Sequence, residues 1–165
     1  LTNQYIWTYG CKNTTFENCV FNTNGKAILV YNEGAGACNV KVNGCTFNVS
    51  GDVYNLWTWG AHNAEFNSCT FNSDGKAVLL YGSVNTNLTV NDCIFNDKGG
   101  LLDKKAAIEI GNDYNTSYNV YVNGTTVNGY EINDKGINTG TTLWANKNSM
   151  PSDKLNVVVD GVDVY

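Results

Sequence analysis

Apolar and polar residues alternate along this chain in short bursts, and the bursts recur. Ala64 and Phe66 alternate with Asn63 and Glu65, which describes a strand with one buried face. Asn67-Ser68 reads as a corner. Cys69 and Phe71 then point inward along a second short strand, with Thr70 outward. Asn72–Gly75 is a turn, and Ala77–Tyr81 is a third strand that ends at Gly82. The same unit is written along the chain in the hexapeptides Phe16–Phe21, Val42–Phe47, Phe66–Phe71, Val90–Phe95, Val122–Val127 and Val159–Val164. The first four copies lie 26, 24 and 24 residues apart. On a larger scale, residues 1–32 and 51–82 match without a gap at an offset of 50, with Trp7 answering to Trp57, Phe16 to Phe66 and Tyr31 to Tyr81. A short unit of nearly fixed period, with inward positions spaced by two, predicts stacked coils and not a closed globular core. The expected fold is all-β, a parallel β-helix of about six three-strand coils in a single domain, residues 1–165. Longer loops are expected at 97–106, 111–118 and 128–142.

Stacking the copies predicts ladders. Phe21, Phe47, Phe71, Phe95, Val127 and Val164 form one interior column. Asn22, Asn48, Asn72, Asn96 and Asn128 follow at a corner, where Asn tolerates tight backbone and pairs its amide with the next coil. Cys19, Cys45, Cys69 and Cys93 share one slot that Thr125 and Val162 fill later, so these four read as small buried thiols. Cys11 and Cys38 lie in turns before adjacent coils, and a disulfide between them stays open.

Composition narrows the function classes. Ten Lys, no Arg and fifteen Asp plus Glu give a net charge of −5, which argues against nucleic-acid binding. The chain has no apolar run long enough to suggest membrane insertion. It starts in mid-motif at Leu1, so it reads as a piece of a longer protein. There is no zinc-type Cys spacing and His62 is the only His, so no metal or cofactor is expected.

The three-strand coil, the corner Asn and the aromatic ladder resemble the right-handed parallel β-helix of the pectate-lyase-like superfamily. The stretches Asn18–Asn22, Gly25–Glu33, Tyr54–Gly60, Lys105–Gly111 and Leu155–Tyr165 are similar to β-helix modules of large bacterial surface or adhesin-like proteins. The resemblance implies a right-handed helix and an extracellular or cell-surface location.

Chemistry concentrates on the third strand. Its first positions, Ile6, Ile28, Leu56, Val78, Ile108 and Leu143, are interior in character. The next column reads Trp7, Leu29, Trp57, Leu79, Glu109 and Trp144, and the following one Tyr9, Tyr31, Trp59, Tyr81, Gly111 and Asn146. Both are expected to face outward, as a flat exposed aromatic strip across four coils. The candidate binding residues are therefore Trp7, Tyr9, Tyr31, Trp57, Trp59, Tyr81 and Trp144. Such a strip suits a glycan or a protein partner, unless loops bury it. Hydrolases and lyases of this fold class need grouped carboxylates or a carboxylate with a base. The best alternative group is Glu109 with Asp113 and Lys105, beside Lys104, and its plainer reading is a solvated charged turn. The expected role is a non-catalytic module, a rigid adhesin or stalk element. The alternative is a carbohydrate-active β-helix whose site lies partly outside this chain.

Overall fold

In the computed structural model, residues 5–31, 36–51, 54–74, 76–98, 106–112, 114–129 and 142–165 are described. They form an all-β parallel solenoid of about six coils, as the repeat predicts. The first sheet stacks β1 (Ile6–Trp7), β4 (Ile28–Leu29), β7 (Leu56–Trp57), β10 (Val78–Leu80), β13 (Ala106–Ile110) and β16 (Thr142–Asn146). The second stacks β2 (Asn13–Glu17), β5 (Asn39–Asn43), β8 (Asn63–Asn67), β11 (Thr86–Asn91), β14 (Tyr118–Asn123), β17 (Leu155–Val159) and β18 (Val162–Asp163). The third stacks β3 (Val20–Thr23), β6 (Thr46–Val49), β9 (Thr70–Ser73), β12 (Ile94–Asp97) and β15 (Thr126–Asn128). Successive coils add one strand each to a sheet, so within each sheet a strand pairs in parallel with its counterparts in the neighbouring coils, the antiparallel β17–β18 pair at the end excepted.

The interior ladders stand where alternation puts them. Phe21, Phe47, Phe71 and Phe95 stack with successive centroids 4.8 Å apart and rings nearly parallel. That spacing is the strand-to-strand distance, so the sheet itself sets the stacking. Beside them Cys45, Cys69 and Cys93 are fully buried, while Cys19 is half-buried in the first coil. Cys69 Sγ donates to the Val42 carbonyl at 3.2 Å and Cys93 Sγ to the Asn91 carbonyl at 3.3 Å. Thr125 Oγ1 makes the same bond to the Asn123 carbonyl, which explains why the slot accepts either residue. Burial pushes the Cys38 and Cys45 thiols up. Cys93 is also pushed up, first by its hydrogen bond with Cys69 and then by burial. All six cysteines are free thiols, so Cys11 and Cys38 are not linked.

Three asparagine ladders run along the corners. In one, Asn48, Asn72, Asn96 and Asn128 each donate an amide hydrogen to the Asn of the preceding coil, at 2.6–2.8 Å. A second joins Asn13, Asn39, Asn63, Asn87 and Asn119 at 2.7–3.0 Å. A third joins Asn43, Asn67, Asn91 and Asn123 at 2.9–3.0 Å. His62 belongs to this scaffolding, because its Nδ1 accepts the Cys38 amide hydrogen at 3.1 Å.

Two expectations fail, each for a local reason. The sixth hexapeptide, Val159–Val164, does not build another coil. Asp160 (φ 48°) and Gly161 (φ 79°) both adopt positive φ. That pair of angles makes a tight hairpin, so β18 folds back antiparallel on β17, with Val159 opposite Val162. In earlier coils only the corner residue itself is positive, as at Gly44, Ser68, Asp92 and Gly124. Val162 is therefore exposed and occupies no thiol slot, and Val164 reaches the core from the cap. The second failure is Trp144. It pairs with Ile108, and Ala145 pairs with Glu109, one residue out of the expected register. Trp144 is consequently an interior residue with no exposure, and it is removed from the outer strip.

Candidate functional site

The outer face of the first sheet carries the aromatic band. Parallel pairing fixes the floor column as Trp7, Leu29, Trp57, Leu79, Glu109 and Ala145. Two residues further along each strand come Tyr9, Tyr31, Trp59 and Tyr81, which form a wall. Tyr9 stacks on Tyr31 at 5.7 Å, Tyr31 on Trp59 at 6.1 Å, and Trp59 lies 5.5 Å from Tyr81. Tyr114 extends the wall, edge-on to both Trp59 and Tyr81. Floor and wall are locked together, since Trp57 meets Trp59 in a T-shaped contact at 5.4 Å and donates its indole hydrogen to the Tyr81 carbonyl at 3.0 Å. Gly82 permits this geometry. A Cβ there would lie 1.6 Å from the Trp59 carbonyl oxygen.

Exposure changes along the rod. Trp7 is 56% and Tyr9 65% exposed, whereas Tyr31, Trp57, Trp59 and Tyr81 are half-buried against one another. Leu79 is 8% exposed, Glu109 2% and Ala145 0%. Around the middle of the band a cavity of about 470 Å³ opens between Trp57, Trp59, Leu79 and Tyr81 on one side and Tyr54, Lys147 and Asn148 on the other. Lys26 and Lys76 flank it, their ammonium groups 5.1 Å from the Trp57 ring and 5.5 Å from the Tyr54 ring.

One end of this cavity holds polar groups. Glu109 faces outward yet is covered, because Tyr54 donates its hydroxyl to Glu109 Oε2 at 2.5 Å and Lys147 Nζ reaches the same oxygen at 3.5 Å. Lys147 Nζ also lies 3.4 Å from the Tyr54 hydroxyl. A buried carboxylate is tolerable only when paired and hydrogen-bonded, and these two partners do that. Of the alternative cluster, only Glu109 is placed. Asp113, Lys104 and Lys105 lie outside the described residues. Among the described residues no group of His, Cys, Asp or Glu is arranged to hold a metal ion.

Six of the seven expected strip residues thus share one face, and Trp144 does not. Tyr54, Tyr114, Lys147 and Asn148 were not foreseen. The slip at Trp144 hid Lys147. Once Asn146 pairs with Ile110, Lys147 follows Asn146 just as Gly111 follows Ile110, and so continues the Tyr81 column. The repeated Leu-Trp pair at 56–57 and 143–144 suggested the wrong alignment. The chain matches no protein-family profile, no curated protein and no solved structure.

Proposed function

We propose that this chain is a glycan-binding β-helix module of the pectate-lyase-like kind. It serves as a rigid adhesin or stalk element of a bacterial extracellular or cell-surface protein. The observation that carries the reading is the aromatic cavity, whose rings are held in fixed orientation and whose end presents a hydroxyl, an ammonium and an amide. Flat rings stack on the apolar faces of sugars, and a few placed polar groups fix orientation by bonding hydroxyls. A protein partner would favour a broader, flatter patch than this walled trough.

The test is binding to an array of plant, animal and microbial oligosaccharides. The double variant Trp57→Ala/Trp59→Ala should lose roughly tenfold or more in affinity, as expected for central aromatic anchors. Far-ultraviolet dichroism and parallel melts check that the variant is folded. Binding unchanged in the folded variant would reject the cavity as the site, and oligomerisation lost in it would favour a protein interface instead.

A second reading has one observation in its favour, the Tyr54–Glu109–Lys147 group at the cavity end. A carboxylate beside a hydroxyl and an amine is the material of acid–base chemistry on a polysaccharide. Glu109 is buried beneath its partners, however, and no second carboxylate lines the cavity among the described residues. Product formation from polysaccharides that disappears in Glu109→Gln would favour the enzyme over the binding module.

A further inference from the structure

The trough has a direction, and resting on the glycan-binding reading above, we propose that it recognises the end of a glycan chain and not its interior. Three observations lead there. First, the floor is covered at Glu109. Leu29 and Leu79 are 7% and 8% exposed between the tryptophans, but Glu109, at 2%, lies beneath Tyr54 and Lys147. Second, a bridge crosses the trough at that point. Lys147 follows Asn146, whose partner is Ile110, so it extends the wall column of Tyr81 past Gly111. It reaches over Glu109 toward the Tyr54 hydroxyl, 3.4 Å away. The Tyr54 ring stands on the other side, its hydroxyl fixed by the carboxylate below. Third, Asn148 reinforces the stop. A Cβ on Gly111 would lie 2.6 Å from Asn148 Oδ1, so the glycine admits this side chain beside Tyr81.

On the other side of Trp57 the band continues through Tyr31 to Tyr9 and Trp7. A chain lodged against the bridge would extend along these rings. From Trp57 to Glu109 the floor crosses two strand spacings of about 4.8 Å each, room for roughly two pyranose rings. The terminal unit would sit over Leu79, beside Tyr81, with Tyr54 Oη, Lys147 Nζ and the Asn148 amide reading its hydroxyls. The next unit would stack on Trp57 and Trp59, and later units would follow Tyr31 toward Trp7. An interior segment would have to pass through the bridge. Glu109 acts here as a positioning residue, since it holds Tyr54 and Lys147 and contacts no ligand.

The experiment uses the full 165-residue chain. Disaccharide-to-hexasaccharide series of several backbones are titrated free, capped with a bulky group at the reducing end, and capped at the non-reducing end. For any backbone that binds, one of the two caps should weaken binding by roughly tenfold or more, the scale of losing a cluster of polar contacts. Whichever cap acts identifies the lodged end. The other cap should change little, and affinity should level off once the chain reaches the open rings. Partial depolymerisation of a binding polysaccharide at constant mass should raise its potency as a competitor in proportion to its chain ends. In Lys147→Ala the difference between capped and uncapped ligands should shrink while binding through Trp57 persists, a change that a purely structural role would not produce. Equal binding of both capped forms, with affinity rising steadily with length, would overturn end recognition and leave the glycan reading intact. No binding to any glycan would remove both.

Discussion

Phe71→Ala tests the architecture most directly. Phe71 is fully buried and stacked between Phe47 and Phe95, each centroid 4.8 Å away, with Phe66 tilted against it at 6.0 Å. Removing the ring deletes the apolar transfer energy and leaves a void, and buried Phe→Ala changes cost about 3–5 kcal/mol. The upper half of that range applies here. The flanking rings are held at the sheet spacing by backbone pairing on both sides, so neither can slide into the gap. Two stacked contacts, at about 0.5–1.5 kcal/mol each beyond area burial, are part of that loss. For a chain of this size, each kcal/mol shifts the melting temperature by about 2–4 °C, so a fall of about 8–20 °C is expected. Urea unfolding measured by far-ultraviolet dichroism gives the energy, and a thermal scan checks it. In a stacked-coil protein the loss is confined to neighbouring coils, so the variant keeps its β content below the transition. A cost under about 1.5 kcal/mol would mean that the column is not close-packed, and the deduced register would be wrong.

Other outcomes follow from the same geometry. Asn72→Ala breaks the ladder bonds to Asn48 and Asn96 at 2.8 and 2.7 Å and should cost about 1–2 kcal/mol by chemical denaturation, whereas Thr70→Ala on the same strand should cost only a few tenths. Gly82→Ala drives a Cβ against the Trp59 carbonyl and should destabilise by at least about 3 kcal/mol, with a shifted tryptophan emission because Trp59 moves. The raised thiols of Cys38 and Cys45 bind their protons more tightly folded than unfolded, so their contribution to stability is fully present below the unfolded value of about 8.5 and is lost as pH rises past it. Melting temperature should therefore fall above about pH 8.5, and less steeply in Cys45→Thr, since the threonine of that slot cannot ionise in this range. An equal alkaline slope in that variant would show that the thiol column does not titrate with folding.

Much of this protein is legible from one dimension. The interior columns of Phe and Cys and the corner Asn ladders recur at fixed spacing, and a parallel stack converts sequence period directly into spatial neighbourhood. That is why Phe47, Phe71 and Phe95 meet as the period requires, and why Trp7, Tyr9, Tyr31, Trp57, Trp59 and Tyr81 share a face. The repeat fails where the chain departs from its own period. At Asp160-Gly161 one extra positive φ turns a coil corner into a hairpin, although the dipeptide itself is a strong hairpin signal that the repeat overshadowed. At Trp144 a shift of one residue carries a side chain from one face to the other, because alternation has a period of two. That single shift buries Trp144 and brings Lys147 over Glu109. Alternation determines which residues line the rod. Pairing register across a non-repetitive segment, which only the folded stack decides, determines that the aromatic band ends in a bridge of Tyr54, Glu109 and Lys147.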